Sequence, residues 1–362
     1  MSFAQNIPTI GNSDKLEIAN WNIEWFGNAT NGPVNKTLQF NNVKTVLQKS
    51  KIDIWGLSEI SNDSAFYRLL DSLPKYKGVL NPLSVTQKTA LIYDSSLFSL
   101  VYAKSVLTSF SYDFASGRFP FEIALIPKFG NLLDTHIFIV VHLKANVGTL
   151  AEKQTSLDRR TAASVHLKKY IDSAHFQKKV MVLGDFNDDT DVSIFNSKIT
   201  PFVNFLLDTI NFRFLTLQLS EDRVASTVSY PEMIDHQIIS NEWYNTYESN
   251  SCRIIKLSDY ITSFGTNTSD HFPVLSTFVF EKNITVKSIN KFDLTLYPNP
   301  VNKNQIINFP PNAGDIKFFD LTGKQFYTGI NEPLSIKSSG FYIITFKIDG
   351  KQFQSKLNVL EN

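Results

Sequence analysis

Short apolar runs that end in a charged or polar side chain recur along this sequence, and they constrain its fold more than any other feature. The clearest run is Val-Met-Val-Leu at 180–183, which Gly184 interrupts before Asp185 and Asn187. These apolar residues match a short buried strand, and side chains alternate along an extended backbone, so Asp185 and Asn187 face the same way at its end. An acid and an amide there can hold a cation or an attacking water and donate to an oxyanion. The alternative interpretation is a strand followed by an Asp/Asn-rich turn.

Other polar side chains end or adjoin apolar runs elsewhere in the chain, and they are Asn22, Glu59, His142, Asp235 and the pair Asp270–His271. Each has an ordinary structural alternative, such as a turn-capping amide, a surface carboxylate or a satisfied histidine. The run at 52–60 has the composition of a core strand, so Glu59 is either a buried acid with a partner or a metal ligand. A carboxylate within the strand predicted at 233–240 also needs a partner, and a histidine is the natural one for Asp235.

Helix-like and strand-like segments alternate before residue 281, which is compatible with an α/β fold. The predicted helices cover 36–49, 65–73 and 152–173, and strands are predicted at 90–93, 97–107, 119–126 and 274–280. The chain of 362 residues is long enough for two or three domains, and its 30 phenylalanines favour extended structure.

Charge and composition say little about the partner. The net charge of +1 gives no general preference for nucleic acid, so a basic patch would have to be local. The single cysteine, Cys252, rules out an internal disulfide. The apolar runs are too short for a membrane-spanning helix, and the hydrophobic fraction of 43% is that of a globular protein.

Six of the motifs occur in an order that resembles the endonuclease/exonuclease/phosphatase superfamily, and most of all its deoxyribonuclease I-like branch. They are Trp-Asn-Ile around Asn22, Glu59, Val-His-Leu-Lys around His142, Gly-Asp-Phe-Asn at 184–187, Ile-Asp at Asp235 and Ser-Asp-His-Phe-Pro-Val at 269–274. Any one of them is a weak signal, whereas all of them in order are specific. The resemblance covers residues 14–281 and implies a four-layer α/β/β/α sandwich with the site at the strand ends along one edge.

The resemblance also implies a divalent-metal site. Glu59, helped by Asn22 and Asp270, would bind Mg²⁺ or Mn²⁺, with Ca²⁺ as a further candidate, because hard cations prefer oxygen ligands. The ion would polarise the scissile phosphate and offset the charge that builds there. Arg118, which precedes Phe-Pro at 119–120, resembles the phosphate-contacting arginine of the deoxyribonuclease-like branch; a solvated loop arginine is the alternative.

The same resemblance implies acid–base roles for two histidines. His271 would be the general base for the attacking water, oriented by an acid, and His142 would be the general acid for the leaving oxygen. Asp235 would polarise one of these imidazoles, and the sequence leaves open which one. Asp185 and Asn187 would position water, metal or phosphoryl oxygens.

One position departs from the pattern of deoxyribonuclease I. In that enzyme the second histidine has a glutamate partner near the position of Gln87 to Ala90, whereas this chain has the neutral Gln87. The departure weakens the assignment of a histidine base, or passes that role to Asp270 or Asp185. The abasic-site repair branch has a tyrosine where His142 stands, so His142 favours the deoxyribonuclease-like side.

A second unit follows a polar linker at 282–292, and residues 293–362 have the alternating strands and turns of a small all-β sandwich domain. Three motifs resemble the C-terminal sorting domain of type IX secretion substrates from the Bacteroidetes, namely Tyr-Pro-Asn-Pro at 297–300, Asp-Leu-Thr-Gly-Lys at 320–324 and Gly-Phe-Tyr-Ile-Ile at 340–344. The alternative is an independent β-sandwich for substrate binding. The resemblance implies the type IX secretion machinery as a partner and a secreted or cell-surface location.

Residues 1–13 fit that location as a signal-peptide remnant or an N-terminal tail, because Ser-Phe-Ala at 2–4 is a small-x-small pattern. The whole pattern predicts a secreted, metal-dependent phosphodiesterase, namely an extracellular endonuclease acting on DNA or RNA. A phosphatase or a sphingomyelinase-like lipid phosphodiesterase with the same site is the first alternative. The second is a non-catalytic surface module that retained the fold. The sequence leaves the oligomeric state open.

Overall fold

The computed structural model describes residues 6–128, 135–279, 298–309, 312–320, 324–329, 334–348 and 351–361. The chain separates into two compact units, residues 1–283 and 284–362. The motif at 2–4, the linker predicted at 282–292 and parts of two sorting-domain motifs lie outside the described residues. The domain boundaries drawn from the sequence remain predictions.

Two six-stranded sheets form the centre of the first unit. The strands are β1 (Lys15–Phe26), β2 (Ile54–Ile60), β3 (Tyr76–Leu80), β4 (Lys88–Asp94), β5 (Phe98–Ser105), β6 (Phe121–Pro127), β7 (His136–His142), β8 (Lys179–Asp185), β9 (Phe212–Phe214), β10 (Asp235–Ser240), β11 (Arg253–Ile254) and β12 (Val274–Val279). The first sheet has the order β11-β12-β1-β2-β4-β3, and the second has the order β5-β6-β7-β8-β10-β9. Each sheet contains one central parallel pair, β1 with β2 and β7 with β8.

Helices cover the outer faces of the two sheets. They are α1 (Lys36–Ser50), α2 (Asp63–Asp71), α3 (Leu150–Ala174), α4 (Val203–Leu206), α5 (Leu217–Glu221) and α6 (Phe264–Asn267). The first three overlap the predicted helices, with ends that differ by up to two residues. A capping box formed by Thr149 and Glu152 begins α3, because each side chain accepts a hydrogen bond from the other residue's backbone N–H.

Three apolar layers fill the first unit. Leu16 and Ile18 of β1 face the second sheet, where Met181 and Leu183 of β8 belong to the same buried cluster. The alternate residues of the sheets pack outward against the helices. These contacts join Ala19, Trp21 and Ile23 with Val43, Val46 and Leu47 of α1, and Ile137, Ile139 and Val141 with Ala163, Leu167 and Ile171 of α3. The order is helix, sheet, sheet, helix, which confirms the predicted four-layer α/β/β/α sandwich.

Gly184 permits the close approach of β7 and β8 next to the polar strand ends. Its φ is +139°, and a Cβ at this position would lie 2.1 Å from the carbonyl oxygen of Val141. Only a residue without a side chain adopts this conformation at this distance without strain. Gly184 is therefore needed for the backbone geometry that presents Asp185.

The second unit is all-β, as predicted. Its strands are β13 (Val301–Asn302), β14 (Gly314–Phe319), β15 (Gln325–Gly329), β16 (Gly340–Ile348) and β17 (Lys351–Leu360), in the sheet order β13-β17-β16-β14-β15. Its core includes Phe318, Ile344, Phe346 and Leu357. Across the residues that the structure describes, no helix has both the length and the apolar character required to cross a bilayer.

Candidate active site

Polar side chains from both sheets meet at the carboxyl ends of the central parallel strands. Asn22 lies near the end of β1, and His142 and Asp185 are the paired last residues of β7 and β8. Asp235 begins the antiparallel strand β10 directly opposite Asp185. Because these strand ends lie at the same edge of the sandwich, their polar groups converge there, above an interior that is mostly apolar.

Asn22 links the two sheets at the site. Its Nδ2 donates to Glu59 Oε1 at 3.2 Å and to Asp185 Oδ2 at 3.0 Å, while its Oδ1 accepts from the backbone N–H of Glu24. Asn22 therefore holds two carboxylates close together. In this geometry it is a positioning group for the carboxylates that the sequence predicted as metal and catalytic residues.

Glu59 reaches the site through an irregularity in β2. Strand alternation from Leu57, which packs against the helices, would turn Glu59 away from the second sheet. The pairing of β2 with β4 shifts between Leu57 and Ile60, and Glu59 adopts a left-handed φ of +63°. Such backbone is strained by about 1–3 kcal/mol. The backbone N–H of Trp25 donates to Glu59 Oε2 at 3.0 Å and helps to hold the turned carboxylate in place.

His142 lies between the carboxylates and Arg118. Its Nε2 is 3.5 Å from Asp185 Oδ2 and 3.8 Å from Glu59 Oε1, and Arg118 Nη1 approaches that nitrogen at 2.9 Å. Burial lowers the pKa of His142 well below 6.5, and the positive charges of Arg118 and His271 lower it further. These influences favour the neutral imidazole.

His271 is paired with Asp235, which answers the question that the sequence left open. The distance from His271 Nδ1 to Asp235 Oδ2 is 2.7 Å, and both residues are buried. Burial by itself would lower the pKa of His271, but the Asp235 carboxylate outweighs it and raises that pKa well above 6.5. The two histidines thus favour opposite protonation states, with His142 as the neutral imidazole and His271 as the positively charged imidazolium.

Asp185 is shared by the two halves of the site. Burial and the negative charges of Asp235 and Glu59 raise its pKa to about 7, against the opposing effects of His271 and Asn22. Two groups of possible metal-ligand atoms include it, Glu59–His142–Asp185 and Asp185–Asp235–His271, and within each group the atoms lie within 4.8 Å of one another. A divalent cation would relieve this crowding of buried carboxylates, so the donor set fits an oxygen-preferring metal.

Arg118 and Gln87 form the side of the site next to β7. Arg118 Nη1 donates to Gln87 Oε1 at 2.9 Å, and Arg118 Nη2 donates to the carbonyl of Leu143 at 2.7 Å. The neutral Gln87 thus contacts the guanidinium. Asn187, in left-handed backbone with φ +55°, also donates to Leu143 O, at 3.1 Å, and its N–H donates to Asp185 Oδ1.

Asp270 lies at the rim rather than among the buried carboxylates. Its side chain is 52% exposed, and its Oδ1 is 3.9 Å from His271 Nε2. Its backbone N–H donates to Glu24 Oε2 at 3.0 Å. Burial and Asp270 raise the pKa of Glu24 to about 7. Asp270 belongs to neither of the two groups of clustered ligand atoms found in the described residues.

Two buried serines orient the site and were not predicted. Ser226 Oγ donates to Asp235 Oδ2 at 2.8 Å and accepts from the backbone N–H of Ile234. Ser269 Oγ donates to the carbonyl of Asn22 at 2.6 Å and accepts from the N–H of His271. Ser269 was visible within the Ser-Asp-His motif, whereas Ser226 lies in a loop with no apolar run before it and gave no sequence signal.

Buried amides join the two sheets beneath the site. Asn20 Nδ2 donates to the carbonyl of Gly184 at 3.1 Å, and Gln237 Nε2 donates to Asn20 Oδ1 at 3.0 Å. Breaking a hydrogen bond between fully buried groups is costly, because each group would stay buried without a partner. This link sets the spacing of the strands that carry Asn22 and Asp235.

Comparison with known proteins identifies both units. Residues 19–271 match the Endonuclease/Exonuclease/phosphatase family, and residues 295–360 match the Secretion system C-terminal sorting domain. The second match confirms the resemblance to a sorting domain and implies export. No curated protein matches the sequence.

Solved structures with this fold include three with low sequence identity. The human nocturnin catalytic domain is 17% identical with a TM-score of 0.53, covering 74% of this chain and 95% of its own. A humanized D. rerio TDP2 is 15% identical with a TM-score of 0.55, covering 74% of this chain and 99% of its own. An endonuclease/exonuclease/phosphatase from Bacteroides vulgatus has the same identity and coverage with a TM-score of 0.53.

These likenesses support the fold, and the family match extends across the strands that carry the site. It begins at residue 19, before Asn22, and ends at His271. The chain therefore belongs to the Endonuclease/Exonuclease/phosphatase family of phosphoester hydrolases.

Proposed function

We propose that the first unit is a divalent-metal-dependent endonuclease that hydrolyses phosphodiester bonds in DNA, and in RNA as a second substrate, outside the cell. The observation that carries this proposal is the meeting of the His271–Asp235 pair, His142 and Arg118 around Asp185. The sorting domain at 295–360 supports a secreted or cell-surface location. The type IX secretion machinery is the partner that such a domain would engage.

Glu59 is the proposed principal metal ligand, for Mg²⁺ or Mn²⁺, with Ca²⁺ as a further candidate. Asp185 lies beside it, and Asn22 holds both carboxylates. A bound divalent cation supplies Lewis-acid stabilisation of the charge on a scissile phosphate. Asp270 would join this set only after a rotation from its exposed position at the rim.

His271 and Asp235 form the proposed acid–base pair. Because Asp235 holds Nδ1, the Nε2 nitrogen of His271 is the one that exchanges a proton with water or substrate. Asp185 and Asn187 would position the attacking water and the phosphoryl oxygens. The elevated pKa of Asp185 supports a share in the proton transfer, as expected if the neutral Gln87 stands in place of an acidic residue.

His142 and Arg118 form the proposed phosphate side of the site. A neutral imidazole can donate one N–H to a phosphoryl or leaving oxygen, and the adjacent guanidinium supplies positive charge. This arrangement favours His142 as a hydrogen-bond donor over the general acid expected from the family. Arg118 remains the candidate for direct phosphate contact.

A polynucleotide substrate has support from one structure of the same fold. D. rerio TDP2 has been solved in complex with a single-strand DNA product. A protein of this fold can therefore bind a single strand of DNA. In this chain, that support is limited to the fold, because the identity is 14%.

Hydrolysis by the purified full chain tests the proposal. Plasmid DNA, RNA, sphingomyelin and p-nitrophenyl phosphate are compared side by side in Mg²⁺, in Mn²⁺ and in chelator. We expect nicking of plasmid that the chelator abolishes. Turnover of the lipid or the monoester alone would instead indicate a sphingomyelinase-like phosphodiesterase or a phosphatase. DNA binding without turnover of any substrate would favour the non-catalytic module.

A further inference from the structure

Four cationic side chains gather where the chain leaves β7, beside the candidate active site. Arg118 Nη2 donates to the carbonyl of Leu143 at 2.7 Å, and Arg160 Nη1 donates to the carbonyl of Lys144 at 2.7 Å. Two guanidinium groups thus bind consecutive carbonyl oxygens directly after His142. Lys144 itself carries the third cation at this point.

Arg159 joins this group from α3. Its Nε donates to the carbonyl of Tyr112 at 2.7 Å and its Nη2 donates to Ser116 Oγ at 3.1 Å. Tyr112 and Ser116 belong to the loop that leads into Arg118. The loop is therefore fastened to α3 by Arg159, and both arginines lie along the same side of the site.

The charge of this cluster is only partly neutralised. Arg160 is fully buried and paired with Asp188, with Nη2 2.7 Å from Oδ2. Among the described residues, Arg118, Lys144 and Arg159 have no carboxylate oxygen within 4.0 Å. The positive charges of Arg159, Arg118 and Arg160 act on Lys144, and the nearby Glu152 carboxylate offsets them only in part. An anion at this place would remove an unfavourable repulsion.

Two donors in the cluster remain available to a ligand. Lys144 Nζ makes one weak hydrogen bond, to the carbonyl of Ala145 at 3.3 Å. Arg159 Nη1 has no acceptor among the residues that the structure describes. By contrast, both terminal nitrogens of Arg118 are engaged by protein groups. Lys144 is half-buried and Arg159 is 8% exposed, so these are the two cations of the cluster with a donor left for a phosphate bound at the surface.

We propose that Lys144 and Arg159 form a subsite for a second phosphate group, adjacent to the phosphate that is cleaved. The proposal rests on the proposed function, because neighbouring phosphates occur along a polynucleotide, whereas sphingomyelin and a simple monoester carry one. A small bisphosphate shares the two-phosphate chemistry. The 62% exposed ring of Tyr112, with the Arg159 guanidinium 4.4 Å from its centre, favours the polynucleotide, since nucleobases stack on such aromatic surfaces.

Binding of dithymidine ligands in chelator tests the subsite without consuming the ligand. The dinucleotide dTpdT carries one internal phosphate, and versions with an added 5′- or 3′-terminal phosphate carry two. Their dissociation constants are measured by competition against a fluorescein-labelled oligothymidylate. We expect at least one terminal phosphate to strengthen binding to the unmodified chain about tenfold, the size of one charge-assisted contact.

Lys144→Gln and Arg159→Gln should each remove most of this gain. The matched control is Lys169→Gln, which removes an exposed charge from the same helix as Arg159 and should retain the gain. The gain should also shrink with rising NaCl in the unmodified chain and change little with NaCl in the two variants, since a phosphate contact releases counterions. A purely structural role of either residue would not alter this salt dependence selectively.

Several outcomes would overturn the proposal. One is the absence of any gain from a terminal phosphate, and another is an undiminished gain in both variants. Equal affinity for fructose 1,6-bisphosphate would overturn the assignment to a polynucleotide. Failure of the nuclease function is distinguishable, because it appears as lack of hydrolysis of the same ligands when Mg²⁺ or Mn²⁺ is added, while the gain in binding persists.

Discussion

Replacing Asp235 with asparagine tests the proposed acid–base pair, because the change removes one negative charge and preserves the shape of the side chain. Asp235 Oδ2 lies 2.7 Å from His271 Nδ1 and accepts a hydrogen bond of 2.8 Å from Ser226 Oγ. An asparagine oxygen can still accept the bond from Ser226. We therefore expect Asp235→Asn to fold and to lose activity.

The expected loss follows from the distance between the two charges. Unit charges at 2.7 Å attract by roughly 6 kcal/mol at an effective dielectric constant of about 20. Desolvation of a buried pair offsets about half of this, leaving about 3 kcal/mol, or on the order of a 10²-fold loss in kcat. Asp235 raises the pKa of His271 against the lowering effect of burial, so its removal lowers that pKa. The limb of the pH–rate profile that reports His271 therefore moves to lower pH.

The assay is hydrolysis of bis(p-nitrophenyl) phosphate with saturating Mn²⁺, with kcat and kcat/KM measured from about pH 5 to pH 9. Asp71→Asn, an exposed carboxylate on α2, is the matched control and should behave like the unmodified chain. Thermal unfolding shows whether each variant is folded. A loss of less than about threefold with an unchanged pH–rate profile would refute a catalytic role for the pair.

Three further predictions concern the strand ends and the core. Gly184→Ala should destabilise the fold by about 3 kcal/mol or more in urea unfolding, because φ is +139° and the new Cβ would meet Val141 O; a loss below about 1 kcal/mol would contradict this reading. Burial opposes ionisation of Glu122, but hydrogen bonds from His175 and Tyr170 lower its pKa from 4.5 to about 2. Because the pKa of Glu122 is lower in the folded chain than in the unfolded chain, its carboxylate stabilises the fold at pH values above about 4.5. Up to about 3 kcal/mol of the free energy of unfolding is lost as the pH falls from about 4.5 to 2. Glu122→Gln should remove that part of the pH dependence, and an acid-unfolding curve that this substitution leaves unchanged would exclude the contribution of Glu122. His142→Ala should lower kcat on the order of 10²-fold, because it removes the proposed hydrogen-bond donor to the phosphoryl or leaving oxygen, and a loss smaller than about tenfold would make His142 structural.

The fold was predictable because its apolar runs have the length and spacing of strands and helices. Leu16 and Ile18 alternate with Ala19 and Trp21, and the two sets pack on opposite faces of the first sheet. The order of the motifs supplied what periodicity does not, namely the pairing of strands distant in sequence. The small helices α4, α5 and α6 were not predicted, since segments of four or five residues carry almost no periodic signal.

The residues of the site were predictable, but the contacts between them were less so. The sequence names Asp235 and both histidines, yet the pair joins the two sheets, because Asp235 begins β10 of the second sheet and His271 precedes β12 of the first. No local pattern encodes such a contact. The direction of the Glu59 side chain was harder still to predict. Alternation along β2 points it toward the helices, and only the left-handed backbone at +63° brings it to the site.

The protonation states were beyond the reach of sequence reasoning because they depend on what surrounds each ring. Two histidines with the same ordinary pKa become opposite in behaviour. His142 is buried against Arg118, whereas His271 is buried against Asp235. Burial favours the neutral ring at both positions. At His142 the positive charge of Arg118 adds to this effect, whereas at His271 the Asp235 carboxylate outweighs it.

The proposed function requires Glu59 for a metal-dependent hydrolysis of phosphodiester bonds, so removal of its carboxylate should abolish activity. Plasmid nicking by the unmodified chain, by Glu59→Ala and by the surface control Glu221→Ala is followed in Mn²⁺ and in chelator. We expect the unmodified chain and the control to nick plasmid in Mn²⁺ and not in chelator. Glu59→Ala should not nick plasmid in either, even though its thermal unfolding resembles that of the control. Undiminished nicking by Glu59→Ala, or nicking that survives the chelator, would contradict the proposed function.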